Sequence, residues 1–484
     1  MTEQDTQKAS LLARVNFPIY CVKSISERHI LIGGGGGMAK TGISNPFEIY
    51  ELTYDPIANT ARATLVTHFD VGANAIMNLC VIPKSKHLFE LACGGMQGMC
   101  HIYDVKFRFK NGLTTHHYDD HYIDQNNSSN NYLRRRHMSF SSQNSVEDVE
   151  ENIEEYHNPK VELDNNKLKA DKDIHLDNNQ GDDKKDSVPN NIPDYIFDFD
   201  LKKSFQTDFH SDEPYQKLVK YSTNAYMVFS AGADGHIGFW QLPNYKPLTR
   251  IKAHENEIDD IDIHPSGRHL ASVSRDGRSL IWNVNNYQLV KSLEHNQVIP
   301  KPTNKEKAEI FAKAKYLPRL CRYSTVEGDE NNVRLFVALN SRAKLDSYIC
   351  KWLIQKDEYY MEKIISAGDV PLFAMAINDD GRFLAVGKQT GDIDVFIAFS
   401  LQRCYHFSQA HNIFITGIEF LQTTQASLEL VGGDVDAALV SVSVDNRIVL
   451  HKIPKRATLG FFGSFLFFVM FILFIYVVMN YFDL

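Results

Sequence analysis

The chain has 484 residues, of which 43% are hydrophobic and 11% aromatic, and its formal net charge at pH 7 is −9. That length is enough for one large or two ordinary folded domains. The acidic balance, with no stripe of clustered Lys and Arg, argues against nucleic acid as a partner, because neutralising phosphates requires such clusters. The seven cysteines form no Cys-x-x-Cys pair, so we expect neither a disulfide framework nor a zinc site.

A glycine-rich segment at residues 32–45, IGGGGGMAKTGISN, is the first unusual stretch of the chain. Glycine reaches φ > 0 without steric cost, but such a run is expensive in chain entropy unless a ligand, an ion or a partner orders it. The segment is not a phosphate-binding P-loop. Ala39 stands where that motif has its second glycine, and Pro46 prevents a helix from starting cleanly after Thr41.

We interpret this segment as a binding loop. Its backbone carbonyls and Asn45 supply neutral oxygen atoms that suit a hard cation without a cage of carboxylates. Ile43 is an apolar tip with nothing local to pack against, which suits contact with another protein. A flexible hairpin loop without a role is the alternative.

Seven segments of the chain share one pattern, in which an apolar strand ends in a small or turn residue and a second apolar strand follows. They are residues 30–52, 88–105, 227–242, 269–284, 334–354, 383–399 and 439–453. The pairs Asp234-Gly235, Asp276-Gly277 and Asp445-Asn446 are two-residue hairpin signals within them.

The three tryptophans, Trp240, Trp282 and Trp352, follow the turn at the same place in their repeats. Where the spacing is uninterrupted, the period is about 40–45 residues, which is typical of WD repeats with four strands per unit. The sequence therefore predicts an all-β fold, a seven-bladed WD-repeat β-propeller. Closure of the ring is expected to use a strand at residues 17–23, added to the blade that ends at Ile453.

One set of polar residues resembles the internal hydrogen-bonding group of WD repeats. His254 precedes the fourth unit, and Ser272 or Ser274, Asp276 and Trp282 follow within it. We therefore interpret His254 and Asp276 as structural residues rather than catalytic ones.

Two insertions interrupt the repeats. Residues 106–212 are rich in Asn, Asp and Lys, and we predict a disordered insertion between the blades of 1–105 and those of 213–456. Ser139 within it follows three arginines, as in a basophilic kinase site, although a solvated charge run is the simpler interpretation. Residues 300–316 are predicted to form a short helix, because Thr303 and Glu306 make a capping box.

The segment at residues 457–482 contains no charged side chain. As a helix it would span roughly 35–39 Å at 1.5 Å per residue, more than the ~30 Å hydrocarbon core of a bilayer. It predicts a single transmembrane helix with residues 483–484 as a lumenal tail. Lys452, Lys455 and Arg456 precede it, so the positive-inside bias places the bulk of the chain in the cytosol.

No catalytic motif is apparent, since the chain has neither G-x-S-x-G nor H-E-x-x-H. We therefore expect no covalent chemistry from this protein.

The propeller repeats, the loop residues and the C-terminal anchor together resemble one family. It comprises the endoplasmic-reticulum guanine-nucleotide exchange factors for the Sar-type GTPase that starts COPII coat assembly, the prolactin regulatory element-binding protein family. The loop residues that match as they stand are Gly33, Gly34, Gly35, Gly36, Lys40, Thr41, Gly42, Ile43 and Asn45. The resemblance spans the blades and the anchor but not the Asn-rich insertion.

The resemblance implies a function and a set of site residues. The chain would be an exchange factor at the endoplasmic reticulum membrane, acting in vesicle transport. Ile43, and also Asn45, would contact the GTPase. A potassium ion would order the loop, held by backbone carbonyls of Gly33, Gly34, Gly35 and Gly36 and by the Asn45 side chain.

Two other functions are weighed against this one. A membrane-anchored WD-repeat scaffold would use the loop for contact without exchange activity. Transcriptional regulation is suggested only by the name of the family's animal member, and the membrane segment and acidic charge oppose it.

Overall fold

The computed structural model describes residues 9–37, 42–85, 87–109, 195–295, 299–301, 308–311, 314–343, 345–455, 468–475 and 477–478. Within these residues the chain forms seven antiparallel sheets of four strands each, so the predicted seven-bladed propeller is confirmed. The inner strands of the blades bury alternate side chains or both faces, because every sheet packs between two neighbours.

The first three blades contain strands β2 to β13. Blade 1 has β2 (Ile19–Ser24), β3 (His29–Gly34), β4 (Pro46–Asp55) and β5 (Thr60–Asp70). Blade 2 has β6 (Asn78–Ser85), β7 (Leu88–Gly94), β8 (Met99–Phe109) and β9 (Tyr195–Gln206). Blade 3 has β10 (Gln216–Ser222), β11 (Met227–Gly232), β12 (His236–Gln241) and β13 (Lys246–Lys252).

The next three blades contain strands β14 to β25. Blade 4 has β14 (Ile258–Ile263), β15 (His269–Ser274), β16 (Ser279–Asn283) and β17 (Leu289–Ser292). Blade 5 has β18 (Tyr316–Val326), β19 (Asp329–Ser341), β20 (Ser347–Gln355) and β21 (Glu358–Gly368). Blade 6 has β22 (Leu372–Ile377), β23 (Phe383–Lys388), β24 (Ile393–Ile397) and β25 (Gln402–Phe407).

Blade 7 closes the ring with strands from both ends of the propeller. It has β26 (Ile415–Phe420), β27 (Val435–Ser443), β28 (Arg447–Pro454) and, as its outermost strand, β1 (Ser10–Arg14). The innermost strand of every blade contacts the innermost strands of both neighbouring blades, which makes the ring continuous.

The strand that closes the ring differs from the predicted one. Residues 17–23 were expected in this role, but β2 begins at Ile19 and is the innermost strand of blade 1. The closing strand β1 lies upstream and pairs antiparallel with β28, from Ser10 opposite Leu450 to Arg14 opposite Arg447. Only one of its five side chains, Leu12, is buried, so its hydrophobic signal is too weak to identify it from sequence.

The large insertion lies inside blade 2 and is shorter than the predicted 106–212. Strand β8 continues to Phe109, and its partner β9 begins at Tyr195, so the insertion connects the third and fourth strands of one blade. Phe197 and Phe199 are buried while Asp198 and Asp200 face solvent, which is strand alternation hidden by the polar composition around it. Ser139 lies outside the described residues.

The predicted helical insertion and the C-terminal segment are described in part. Residues 308–311 are helical, and Phe311 packs against the core of blade 5. A second short helix, Gln425–Glu429, lies between β26 and β27 and was not predicted. Residues 468–475 and 477–478 are helical with exposed apolar side chains. Within the described residues, no helix is both long and apolar enough to cross a membrane.

The polar set of blade 4 has the predicted structural role. Nδ1 of His254 lies 3.0 Å from Asp276 Oδ2, and Nε2 lies 2.7 Å from Ser272 Oγ, which also accepts from the indole N–H of Trp282 at 2.9 Å. Burial alone would raise the pKa of Asp276, but the hydrogen bonds from His254 and from backbone N–H groups outweigh it and lower that pKa well below its usual value.

Blade 7 contains the same arrangement with a histidine in place of the tryptophan. His411 contacts Asp445 at 2.9 Å and Ser441 at 2.8 Å, and Nε2 of His451 lies 2.7 Å from Ser441 Oγ. His451 therefore occupies the position of Trp282, ten residues after the central serine. Burial, aided by the nearby His411, lowers the pKa of His451 to about 3.

His451 should make the propeller sensitive to acid. Its folded-state pKa is below the ordinary 6.5, so the stability it contributes is complete above that pH and is lost as the pH falls towards 3. Between pH 7 and pH 5 this loss amounts to about 2 kcal/mol. We expect His451→Gln, which keeps a side-chain N–H near Ser441, to lose that much less stability than the wild type over the same interval in urea unfolding. Replacing the exposed His210 by Gln is the control, and equal losses in all three proteins would contradict the prediction.

Candidate functional site: the glycine-rich loop of blade 1

The glycine-rich segment is an enlarged version of a connection that is short elsewhere in the propeller. It joins β3 to β4, the second and third strands of blade 1. In blades 3, 4 and 7 the same connection is a tight turn in which Gly235, Gly277 and Asn446 adopt positive φ. The eleven-residue spacing between Gly34 and Pro46 is therefore an insertion on a scaffold that does not need it. Residues 38–41, which include Lys40 and Thr41, lie outside the described residues.

Two of the glycines are required by close packing. A Cβ at Gly34 would lie 2.0 Å from the carbonyl oxygen of Pro18, and a Cβ at Gly35 would lie 2.1 Å from Asn45 Oδ1. Gly35 also has a φ of +130°, a conformation that other residues rarely adopt. Gly42, in contrast, has a positive φ but open space around it. The first part of the loop is therefore packed onto the blade, and Gly42 serves the backbone path alone.

Asn45 holds the two ends of the loop together. Its Oδ1 accepts from the N–H of Gly37 at 2.8 Å, and its side-chain N–H donates to the carbonyl of Gly72 at 2.7 Å. The N–H of Val71 donates to the Asn45 carbonyl at 3.1 Å. With 3% of its surface exposed, Asn45 fastens the loop to itself and to the connection between blades 1 and 2. The sequence predicted Asn45 at the site, and the structure places its side chain inside the loop rather than on the surface.

Ile43 lies on the outside of the same loop. Its side chain is 37% exposed, two residues before the buried Asn45. This arrangement presents an apolar side chain on a turn whose base is fixed by hydrogen bonds. It is the geometry expected of a residue that contacts another protein.

Sequence reasoning did not identify the neighbouring turn of blade 2. Met96, 51% exposed, lies between β7 and β8, and its Sδ is 3.9 Å from where a Cβ of Gly37 would stand. Gln97 beside it has a φ of +69° and accepts a hydrogen bond from Asn74. The Gly94-Gly95 and Gly98 spacing is the sequence signal for this turn, but its proximity to the glycine-rich loop follows only from the packing of adjacent blades.

The oxygen atoms of the loop fit a monovalent cation in chemical type. Within the described residues, no group of three or more His, Cys, Asp or Glu side chains is placed to hold a metal. The carbonyl of Gly33 accepts from the Cys21 thiol at 3.6 Å, and that of Gly34 accepts from the N–H of Ile76 at 3.2 Å. A carbonyl oxygen has two lone pairs, so one such bond does not by itself exclude an ion as a second partner. Burial raises the pKa of Cys21 to about 12, so its thiol stays neutral beneath the loop.

The loop lies on one face of the propeller, which we call the loop face and define by the β3–β4, β11–β12, β15–β16 and β27–β28 connections. The opposite face carries the connections between the first and second strands of each blade and, in blades 1 and 3 to 6, between the third and fourth strands. Strand β28 runs away from the loop face and ends at Pro454, so the chain leaves the ring on that opposite face, the exit face. A six-residue strand separates the two faces by roughly 20 Å.

Comparison with known proteins agrees with this architecture. Residues 245–283, which run from the last strand of blade 3 through the third strand of blade 4, match the family of WD domain, G-beta repeats. The chain is 26% identical over 450 residues to the guanine nucleotide-exchange factor SEC12 of Rattus norvegicus, covering 92% of this chain and 91% of the relative. The Mus musculus SEC12 gives the same values. The chain is a homologue of the SEC12 exchange factors.

A plant relative of SEC12 matches a smaller part of the chain. The SEC12-like protein 2 of Arabidopsis thaliana is 26% identical over 230 residues, covering 47% of this chain and 49% of that protein. The mammalian SEC12 alignments, in contrast, extend over nine-tenths of both chains.

Removing the Asn45 side chain should release the loop without unfolding the blades. We expect Asn45→Ala to speed amide hydrogen exchange at Gly37, because the acceptor of that N–H is lost at a local cost of about 1–3 kcal/mol. Asn45→Asp is the comparison variant: it keeps an oxygen acceptor for the Gly37 N–H, but it replaces the donor to Gly72 with a carboxylate oxygen that faces the Gly72 carbonyl. Protection in blades 4 to 6 should be unchanged in both variants. Equal exchange at Gly37 in Asn45→Ala and wild type would show that this bond does not hold the loop.

Proposed function

We propose that this protein is a guanine-nucleotide exchange factor that activates a Sar-type small GTPase at the endoplasmic reticulum membrane and so starts COPII coat assembly. The observation that carries the proposal is the glycine-rich loop, which a propeller does not need for its own stability and which presents Ile43 on a base fixed by Asn45. The similarity to SEC12 over 92% of the chain supports it.

The proposed activity needs no covalent step. An exchange factor binds the nucleotide-free GTPase more tightly than the nucleotide-bound form, and by reciprocity it weakens nucleotide binding by the same factor. Ile43 inserted near the switch regions of the GTPase would displace the contacts that hold Mg²⁺ and the phosphates of GDP. Asn45 acts in this mechanism as a positioning residue, because its side chain is occupied by Gly37 and Gly72.

A potassium ion is part of the proposal. When bound, it would supply a positive centre that draws the carbonyl oxygens of the loop together. The residues that would hold it are Gly33, Gly34, Gly35 and Gly36 through their carbonyls and Asn45 through Oδ1. Neutral oxygen donors without a carboxylate favour a large monovalent cation over Mg²⁺.

The membrane placement is also proposed. Residues 457–482 would cross the endoplasmic reticulum membrane once, with the propeller in the cytosol. The exposed apolar side chains of the helical residues 468–475 support this placement. Activation would then occur beside the membrane, where the GTPase inserts its own amphipathic segment.

The alternative is a membrane-anchored WD-repeat scaffold that binds a partner without exchange activity. Propellers host many functions, so the fold does not separate the two. Catalysed nucleotide release does, because a scaffold would bind the GTPase without changing the rate at which GDP leaves.

Ile43→Asp should abolish exchange while the propeller stays folded. Release of a fluorescent GDP analogue from the Sar-type GTPase is measured with the full chain in detergent. The matched control is Ile57→Asp, which puts the same charge on the exit face of the same blade, where Ile57 is 98% exposed. We expect a loss of at least tenfold for the first and wild-type rates for the second. A normally active Ile43→Asp protein would remove the loop from the mechanism.

Replacing K⁺ by Na⁺ should slow exchange if a potassium ion orders the loop. The smaller Na⁺ would require the carbonyls to move closer together, which the close packing around Gly34 and Gly35 resists. The assay is the same GDP release at constant ionic strength, with unfolding temperature as the control for general salt effects. Equal rates of GDP release in the two salts would show that exchange does not depend on a bound potassium ion.

A further inference from the structure

The exit face has a defined edge where the chain leaves the propeller. Strand β28 ends at Pro454, whose carbonyl accepts from the hydroxyl of Tyr405 in blade 6 at 3.3 Å. On the other side, Nζ of Lys455 donates to the carbonyl of Gly433 at 3.3 Å. The departing chain is therefore held between blade 6 and the segment that follows the helix Gln425–Glu429.

Blade 1 presents an apolar tip beside this edge. The turn between β4 and β5 carries Ile57, whose side chain is 98% exposed. The end of β4 beside this turn contacts blade 7, because Nζ of Lys452 lies 5.5 Å from the ring centre of Tyr54, and a Cβ at Gly432 would lie 3.2 Å from that ring. Ile57 is thus tied to the blade from which the chain departs.

The turn that carries Ile57 is well ordered by its own hydrogen bonds. Asp55 Oδ1 accepts from the N–H groups of Ile57 and Ala58, both at 3.0 Å, and the Tyr54 hydroxyl donates to Asn59 at 2.6 Å. Ile57 at the tip of this turn adds almost no buried surface to the fold, since it is 98% exposed among the described residues.

Blade 6 presents a second apolar tip on the same face. Phe399, in the turn between β24 and β25, is 62% exposed. Its carbonyl accepts from Nζ of Lys351, which also lies 5.2 Å from the ring centre, and the next carbonyl, of Ser400, accepts from Lys363 at 2.8 Å. Blades 6 and 1 are the two neighbours of blade 7, so the two tips lie on either side of the blade from which the chain departs.

The distance from this edge to the apolar segment is short. Only Arg456 stands between Lys455 and residue 457, where the uncharged run begins. An extended chain advances at most about 3.6 Å per residue, so two residues reach about 7 Å. If residues 457–482 cross the membrane, the edge of the exit face lies at the bilayer surface, within reach of the interfacial layer that apolar side chains enter.

We propose that Ile57 and Phe399 insert into the interfacial region of the bilayer that holds the C-terminal segment, and so fix the tilt of the propeller. The loop face then points away from the membrane, with Ile43 directed into the cytosol. The occupant of these two tips is the lipid surface, because the chain that leaves between them is the one that continues into the apolar segment. This proposal rests on the membrane anchor of the proposed function, not on the exchange activity.

The test measures how deeply each tip lies in the membrane. Single cysteines at positions 57, 399, 43, 226 and 471 are spin-labelled in the full chain, with the partly buried Cys21 and Cys404 replaced by serine. The protein is reconstituted in phosphatidylcholine nanodiscs, and collision with oxygen is compared with collision with a water-soluble nickel chelate. Position 43 is the control on the loop face, and Tyr226 is an exposed control on the exit face of blade 3, away from blade 7.

We expect labels at 57 and 399 to favour oxygen over the nickel chelate by at least threefold relative to the label at 43, and the label at 226 to resemble the label at 43. Phe399→Asp should reduce the oxygen preference at 57. If the labels at 57 and 399 show the same oxygen preference as the label at 43, while the label at 471 is embedded in lipid, the docking proposal is wrong and the anchor stands. If 471 is also in water, the anchor fails and this proposal fails with it. Protection of 57 and 399 from both reagents would mean that protein covers them, which also overturns the proposal.

GDP release in detergent separates this result from the exchange activity. Ile57→Asp and Phe399→Asp should leave that rate at the wild-type value, since both residues lie on the face opposite Ile43. The exchange proposal can therefore be wrong while the docking proposal is right, and the docking proposal can be wrong while the exchange proposal is right.

Discussion

Closure of the ring is the constraint on which the rest of this structure depends. Seven separate sheets bury their faces only against one another, so each blade is stable only when the first and last are joined. The pairing of β1 with β28 makes that join, and the buried Leu12 packs into the core shared by blades 7 and 1. The same core contains Phe17 and Ile19 from the start of blade 1. A strand of five residues thereby links the two ends of a ring of more than four hundred.

The closed ring gives the glycine-rich loop its rigidity. Pro18, which follows the closing strand, approaches Gly34 so closely that no side chain fits there. Gly72, in the connection to blade 2, accepts from Asn45. The base of the loop is therefore fixed by groups on both sides of blade 1, and Ile43 lies on a rigid support. An exchange factor that displaces the nucleotide contacts of its GTPase would need such a support. Ordering a loose loop on binding would reduce the net binding free energy.

The two faces of the propeller would have different roles. The loop face would meet the GTPase, and the exit face, from which Lys455 leads to the apolar segment, would rest on the membrane. Strand direction alone sets this division, because β28 runs away from the face on which β3 and β4 are connected. A GTPase bound on the loop face would reach the bilayer with its own membrane segment rather than by lying against it, at a distance set by the length of the blades.

The sequence by itself determined the class of fold, the number of blades and the position of the loop. The signals that identify the blades are local: strand alternation, the repeated tryptophans, and the turns at Asp234, Asp276 and Asp445. A repeat architecture presents such signals several times along the chain. The absence of charge from residues 457–482 is likewise visible in the sequence alone. The homology to SEC12 agrees with the family that the loop and repeats indicated.

Only the tertiary structure decided which strand closes the ring, where the large insertion lies and what Asn45 does. β1 buries a single side chain, and β9 adjoins a polar stretch, so neither strand has a hydrophobic pattern strong enough to be recognised in the sequence. The role of His451 as the counterpart of Trp282 depends on Ser441 lying between two histidines. Asn45 carries the same amide whether it faces a partner or Gly37 and Gly72. Which of these it faces is decided by packing between blades, because contacts between residues far apart in the chain leave no local pattern.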